Sequence, residues 1–348
     1  MNKMNKMNKI SVAKIRIMVL SVFTFLAVGT VLFVVISKRP PQYYVRRGIA
    51  FGTDVQIAYA TRKGNAKVVV DAMFDELNKL DEIFNPYRPN SELYKLNHSH
   101  GKWTKVSPKL LNVLRYSIMF AKKTNDAFDP ALGKIVVLWG FNTDDPSKWR
   151  LPSSQEISSA LEHSGYKNVE IDGTKVRLLN DVWIDLGAIA KGYAVDVLLK
   201  MAKINDPHST GYVDIGGDIG IIGPKYGNQA WKIGVRNPRG NPNDSIAYVY
   251  LYKGTIATSG DYERFIIRNG KRYYHIFNPK TGYSPDNFEA ITTISSSGIL
   301  SDAFGTAAMV GGLEKTEKWA KEFGTAYLVI DEKGKIVKSE LWKDYEEP

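Results

Sequence analysis

The chain has 348 residues, 44% of them hydrophobic, enough for one large domain or two small ones with buried cores; its lack of cysteine excludes disulfides, thiolate metal sites, thiol nucleophiles and a lipid-modified cysteine anchor. Its formal charge of +11 is concentrated, because residues 1–47 hold five Lys and four Arg with no acid and leave +2 for everything after Arg47. The body therefore lacks the clustered cations that a nucleic-acid backbone requires, and nucleic acid is excluded as a partner.

Residues 1–16, MNKMNKMNKISVAKIR, form a low-complexity basic leader, and residues 17–37, IMVLSVFTFLAVGTVLFVVIS, carry no charge. At a helical rise of about 1.5 Å this run reaches roughly the hydrocarbon thickness of a bilayer, about 30 Å. It exceeds the apolar core of a signal peptide, usually about 7 to 15 residues, so an uncleaved transmembrane helix is expected. Cations flank the span on both sides, and a long following domain generally translocates, which places the body outside the cytoplasm. Residues 38–47, KRPPQYYVRR, read as a Pro-bearing linker, and residues 48–348 as the folded body.

In the body, FGTDVQIAYA alternates Val55, Ile57 and Tyr59 with polar or small neighbours, as a strand does. Residues 65–84 set Val69, Met73, Leu77, Leu80 and Phe84 on one helical stripe suited to core packing. A second helix opens at Ser107 with Pro108 in its first position, and a third at Ser153, with Glu156 at capping-box spacing. VEIDGTKVRLL and RFIIRNGKRYYHIF are expected hairpins that turn at Asp-Gly and Asn-Gly. Residues 183–203, WIDLGAIAKGYAVDVLLKMAK, read as a short apolar strand, a small-residue turn and an amphipathic helix. From AITTISSSG onward the pattern is strand, helix, helix, hairpin. Without strict βαβ alternation, the fold class is α+β, with mixed or antiparallel sheets packed with helices.

The 183–203 segment has the architecture of an anion site: Gly187 and Ala188 allow close backbone approach, the first helical turn presents N–H groups, and Lys191 adds a cation. Asp185 either hydrogen-bonds a ligand or caps the connection. GYVDIGGDIGIIG lacks the G-x-G-x-x-G order and the following helix of a dinucleotide fingerprint, so its glycines are read as permitting close strand packing or a bulge. Asp302 and Thr306 stand four apart on a helix with their oxygens on one side; that is a partial shell for Mg²⁺, although an Asp near a helix start also serves as a cap. The five histidines show no zinc spacing, and there is neither a nucleophile elbow nor a P-loop. His275 ends a strand at the loop IFNPKTG, where a functional imidazole and a hydrogen-bonded structural one are both open.

Taken in order, FGT, NPYRPNSELYKLN, AFDPALG with LWGF, DLGAIAKGYAVD, DIGGDIGIIG, TSGDYERF, YHIFNPKTGYSP and SDAFGTAAMVGG resemble the motifs of the ApbE family, from about Ile49 to Gly312. The resemblance implies Mg²⁺-dependent transfer of FMN from FAD to a Thr or Ser hydroxyl of an acceptor protein, with AMP leaving. It implies FAD contacts at Phe51, Tyr87, Ala127, Phe128, Asp129, Asp185, Lys191 and Ile276, and a metal held by the Ala188 carbonyl with Asp302 and Thr306. It further implies acceptors among membrane redox-complex subunits, while the apolar span at 17–37 leads to the expectation of a single-pass protein of the bacterial inner membrane. His275 is then the expected base for the acceptor hydroxyl, since imidazole titrates near working pH. Phe51 stands where the family commonly has Met, Asn278 where it has Asp, and the apolar span replaces a frequent lipoprotein Cys. FAD hydrolysis to FMN and AMP at the same site, or a non-catalytic membrane-tethered flavin-binding protein, are the alternatives.

Overall fold

The structure, a computed structural model, describes Met18, Ser21, Thr24, Phe25 and residues 42 to 348 apart from Pro242. The chain divides into two units, Met1–Gln42 and Tyr43–Pro348. In the first, Met18, Ser21, Thr24 and Phe25 are helical and exposed. The rest of the transmembrane helix expected at 17–37 lies outside the described residues, and among these no helix is long and apolar enough to cross a membrane.

In chain order the second unit contains β1 (Tyr44–Ala50), β2 (Thr53–Ala60), α1 (Ala66–Phe84), α2 (Glu92–Asn97), β3 (Thr104–Lys105), α3 (Pro108–Lys123), α4 (Gly133–Trp139), α5 (Ser154–Glu162), β4 (Val169–Asp172), β5 (Lys175–Leu178) and α6 (Ala190–Asn205). There follow β6 (Thr210–Ile215), β7 (Asp218–Gly223), β8 (Trp231–Arg236), β9 (Ser245–Leu251), β10 (Gly254–Gly260), β11 (Phe265–Arg268), β12 (Lys271–Tyr274), β13 (Phe288–Ser295), α7 (Gly298–Gly311), α8 (Leu313–Phe323), β14 (Ala326–Asp331) and β15 (Ile336–Lys338). The main sheet runs β1-β2-β6-β7-β10-β13-β14-β15 with every neighbouring pair antiparallel. The α+β class therefore holds, with antiparallel sheets.

Strand alternation decides what each sheet face buries. Val55, Ile57 and Tyr59 of β2 join Val213 and Ile215 of β6 in one core with the α1 stripe Val69, Met73, Leu77, Leu80 and Phe84. Burying each such aliphatic chain stabilises the fold by about 1.5–3 kcal/mol. A second core unites Ile221, Ile256, Ile294 and Leu328 of the sheet with Val235 and Val249 of the β8–β9 hairpin and with Trp342. A third, small and aromatic-rich, joins Ile135, Trp139, Phe141, Ile157 and Phe277. The helices start where their caps predict: Ser107 Oγ accepts from Leu110 N at 3.3 Å, and Ser153 with Glu156 forms a complete capping box.

Three local expectations are revised. Residues 44–47 of the expected linker begin β1, because Arg46 finds Asp71 at 2.7 Å and Arg47 finds Gln56 at 2.7 Å, so a run of two arginines can pair in the sheet. The β4–β5 hairpin turns at Gly173–Thr174, one residue later than Asp-Gly, since Asp172 pairs with Lys175 and Gly173 takes φ +56 at the first turn position. Residues 183–186 belong to no strand. The Asn97 side chain substitutes for a sheet neighbour, donating to the Ile184 carbonyl at 2.9 Å and accepting from Ile184 N at 2.8 Å.

Candidate active site

α6 and α7 cross with their backbones in contact. A Cβ built on Gly192 would lie 2.1 Å from the Gly298 carbonyl oxygen, so glycine alone fits. Asp196 of α6 caps α7, accepting from Gly298 N at 2.6 Å, Ile299 N at 3.0 Å and Ser297 Oγ at 2.8 Å. Asp302 returns the contact, its Oδ2 accepting from Gly192 N at 3.0 Å. Asp302 is thus not the cap of its own helix but the anion at the first turn of α6. This revises the expected anion site, because the Gly192 N–H is taken by Asp302 and the Ala190 N–H donates to the Leu186 carbonyl at 2.8 Å.

Lys191 lies between two buried carboxylates, with Nζ 3.0 Å from Asp218 Oδ2 and 3.5 Å from Asp302 Oδ1. Burial opposes its charge, but Asp218 and Asp302 outweigh burial and hold the ammonium above its ordinary pKa. Asp218, 4% exposed, is pushed above the usual carboxylate range by burial and then by Asp302, with Lys191 opposing. It opens β7 after the Gly216–Gly217 turn, where φ is +59 and +91. Sequence reasoning missed it, although DIGGD carries both the turn and the acid. Thr306 is half-buried one turn along α7 from Asp302, and Ala188 lies in the turn ahead of α6. A carboxylate, a hydroxyl and a carbonyl are all hard oxygen donors, so this set fits Mg²⁺. Among the described residues no three His, Asp or Glu side chains gather as a metal cluster.

Asp185 accepts from Gly187 N at 2.7 Å and from the Tyr87 hydroxyl. It ties the turn and does not cap α6, whose N-cap residue Ile189 makes no side-chain bond. Burial, then the charge and hydrogen bond of Asp185, push the Tyr87 phenol well above its ordinary pKa. Asp185 N donates to the Pro130 carbonyl at 2.8 Å, which brings in the loop at 127–130. There Ala127 and Phe128 are core side chains, Phe128 edge-on to Phe120 at 5.4 Å, so it is their backbone that could meet a ligand. Asp129 accepts from Ala131 N at 2.8 Å and Tyr166 N at 3.0 Å, while burial raises its carboxyl to about 6.

His275 follows β12 directly, and its N–H donates to the Arg264 carbonyl at 3.1 Å. The residue is half-buried, but its Nδ1 is enclosed and has no hydrogen-bond partner. Burial, then the charges of Arg264 and Lys191, lower the imidazole to about 3, so it is neutral at working pH. Ile276 turns into the main core. Arg264, which sequence reasoning also missed within TSGDYERF, donates to the Phe141 carbonyl at 2.8 Å and lies 3.8 Å from Asp144. The Asp144 carboxylate approaches the β1–β2 turn, 3.9 Å from a Cβ built on Gly52. At that turn Phe51 and Gly52 have φ +54 and +70, a two-residue loop that usually takes Asn, Asp or Gly. Holding Phe51 there costs on the order of 1–2 kcal/mol, strain of the kind found at ligand clamps. Two open surface clefts, of about 460 and 350 Å³, lie elsewhere and are lined by none of these residues.

An antiparallel α+β domain with a buried Asp–Lys–Asp junction beside a neutral histidine defines the class, and the sequence profile of the ApbE family matches residues 51–329. The chain belongs to the ApbE family. It is 29% identical over 300 residues to the FAD:protein FMN transferase of Treponema pallidum, covering 80% of this chain and 82% of that protein. The Escherichia coli K12 protein of the same name is 26% identical over 272 residues, with 76% and 77% covered. Among solved structures, the ApbE protein of Thermotoga maritima is 38% identical with a TM-score of 0.84, covering 88% of this chain and 100% of that one. The flavin transferase ApbE from Vibrio cholerae is 26% identical with a TM-score of 0.77, covering 88% and 100%.

Proposed function

We propose that this transferase is a FAD:protein FMN transferase that moves the FMN moiety of FAD onto a Thr or Ser hydroxyl of an acceptor protein and releases AMP. The observation that carries the reading is Lys191, fixed between Asp218 and Asp302 where α6 and α7 cross, with its charge felt by His275. Asp302, Thr306 and the Ala188 carbonyl would hold Mg²⁺, which when bound supplies charge neutralisation at a pyrophosphate. Lys191 orients that pyrophosphate as a half-buried cation. Asp185 and Tyr87 hold the turn in shape, and Phe51 presents its ring from a turn whose backbone is fixed.

In the transfer, the acceptor hydroxyl oxygen bonds to the FMN phosphorus as the bond from that phosphorus to the bridging oxygen breaks. The electron pair leaves with AMP, and the hydroxyl proton passes to the neutral imidazole of His275. Bound pyrophosphate offsets the two cations that lower His275, so its pKa rises when substrate is present. Residues 17–37 anchor the protein in the bacterial inner membrane after a cytoplasmic leader of residues 1–16. The catalytic body is extracytoplasmic, and its acceptors are subunits of membrane redox complexes.

The test is to incubate the full chain in detergent with FAD, Mg²⁺ and an acceptor domain and weigh the acceptor. A mass gain of one FMN on a Thr or Ser, with one AMP released, is expected. Free FMN and AMP beside an unmodified acceptor would make the protein a hydrolase.

A further inference from the structure

The end of the main sheet at which the chain joins the domain is built from aromatic rings and cations. Tyr43 packs edge-on against Trp231 at 5.6 Å, and Trp231 edge-on against Tyr212 at 4.8 Å. The Tyr43 hydroxyl lies 3.0 Å from Thr210 Oγ1. Three loops, residues 61–65, 206–209 and 224–230, come together here. Thr61 Oγ1 donates to Asp206 Oδ2 at 2.6 Å, and Arg62 Nε donates to the Tyr226 hydroxyl at 3.3 Å. Lys225 Nζ sits 4.9 Å over the Trp231 ring, and the Arg62 guanidinium 5.9 Å from the Tyr226 ring. Lys63 is exposed beside them. The one acid in these three loops, Asp206, is buried, accepts from Thr61 and from His208 N, and offsets part of the Lys63 charge, so the collar keeps more cations than acids.

We propose that this collar faces the lipid bilayer and binds anionic phospholipid headgroups, a reading that rests on the membrane anchor at residues 17–37. Amphipathic rings interleaved with Lys and Arg are the side chains that settle at a membrane interface, and basic clusters next to a span are drawn to anionic lipid. Chain length leads to the same face. Five residues, 38–42, separate the apolar span from Tyr43, and five residues reach at most about 18 Å. The Phe51–Gly52 turn lies at the opposite end of β1, so the collar and the candidate active site occupy different ends of the sheet.

The absence of cysteine makes the test clean. Full-length protein carrying Gln229→Cys or Asp54→Cys is labelled with a fluorophore, reconstituted into vesicles of phosphatidylcholine with phosphatidylglycerol, and exposed to lipids bearing a headgroup quencher. Strong quenching at position 229 and little at position 54 is expected. Quenching at 229 is expected to fall at least two-fold in phosphatidylcholine alone, and likewise when Arg62→Glu, Lys63→Glu and Lys225→Glu are combined in a variant whose melting curve is unchanged. Equal quenching at the two positions, or undiminished quenching without anionic lipid, overturns the collar while flotation with vesicles leaves the anchor standing. Protein that does not float overturns both. Loss of quenching in millimolar inorganic phosphate would assign the cations to free phosphate and overturn the lipid proposal.

Discussion

The α6–α7 crossing and the segment that ends in His275 build the two sides of the candidate site by opposite means. At the crossing, each helix supplies a carboxylate to the N-terminal turn of the other, Asp196 to α7 and Asp302 to α6, and the Gly192–Gly298 contact holds the backbones together. Lys191, half-buried, is set into this frame between Asp218 and Asp302. His275 instead follows the two-stranded β11–β12 hairpin, next to a small aromatic cluster, and keeps its Nδ1 without a partner. The difference teaches a division of labour: charges that must stay apart or together are fixed where backbone cannot shift, whereas the imidazole proposed to take a proton is left unsatisfied.

The strongest way to break this contrast is Asp302→Ala. Transfer in a single-turnover mass assay is expected to fall about 10³-fold, and Mg²⁺ should no longer raise the melting temperature. His275→Ala is expected to slow transfer about 10²-fold while FAD and Mg²⁺ affinities, measured by calorimetry, change little; an equal loss of metal affinity would erase the distinction between the two sides. Gly192→Ala tests the rigid side alone, and the clash with Gly298 should cost about 1–3 kcal/mol in urea unfolding.

The His275 side has a pH signature. Its folded-state pKa, lowered to about 3 from 6.5, means the unfolded chain binds the proton first, so this contribution to stability is complete above pH 6.5 and is lost as pH falls toward 3. The urea midpoint of the wild type should therefore drop more steeply over that window than that of His275→Ala. The smallest effect is expected for Tyr87→Phe, which removes one hydrogen bond to Asp185: about 1 kcal/mol of stability and a few-fold rise in KM for FAD.

What the sequence made legible was whatever depends on spacing along the chain. The α1 stripe, the Ser107 and Ser153 caps, the Asn269–Gly270 turn and the shared helical face of Asp302 and Thr306 all follow from local periodicity and turn chemistry. The Asp218–Lys191 pair does not, because α6 and β7 are packed against one another only by the tertiary fold. Nor does the Asn97 amide that replaces a strand for Ile184, since a side chain imitating a backbone ladder leaves no periodic trace. The glycines of DIGGDIGIIG were readable as packing residues, and Gly220 indeed leaves 2.4 Å between a built Cβ and Val195 Cγ1. The carboxylate at the α6 N-terminus does not follow from local spacing either, because Asp302 comes from 110 residues away.

β1 is also a ruler. Its seven residues, at about 3.3 Å each, measure roughly 23 Å from Tyr44 to the Phe51 turn. A ligand held at the Phe51 turn is therefore parted from the Tyr43–Trp231 rings by the whole length of the strand, so substitutions at the two ends should act independently.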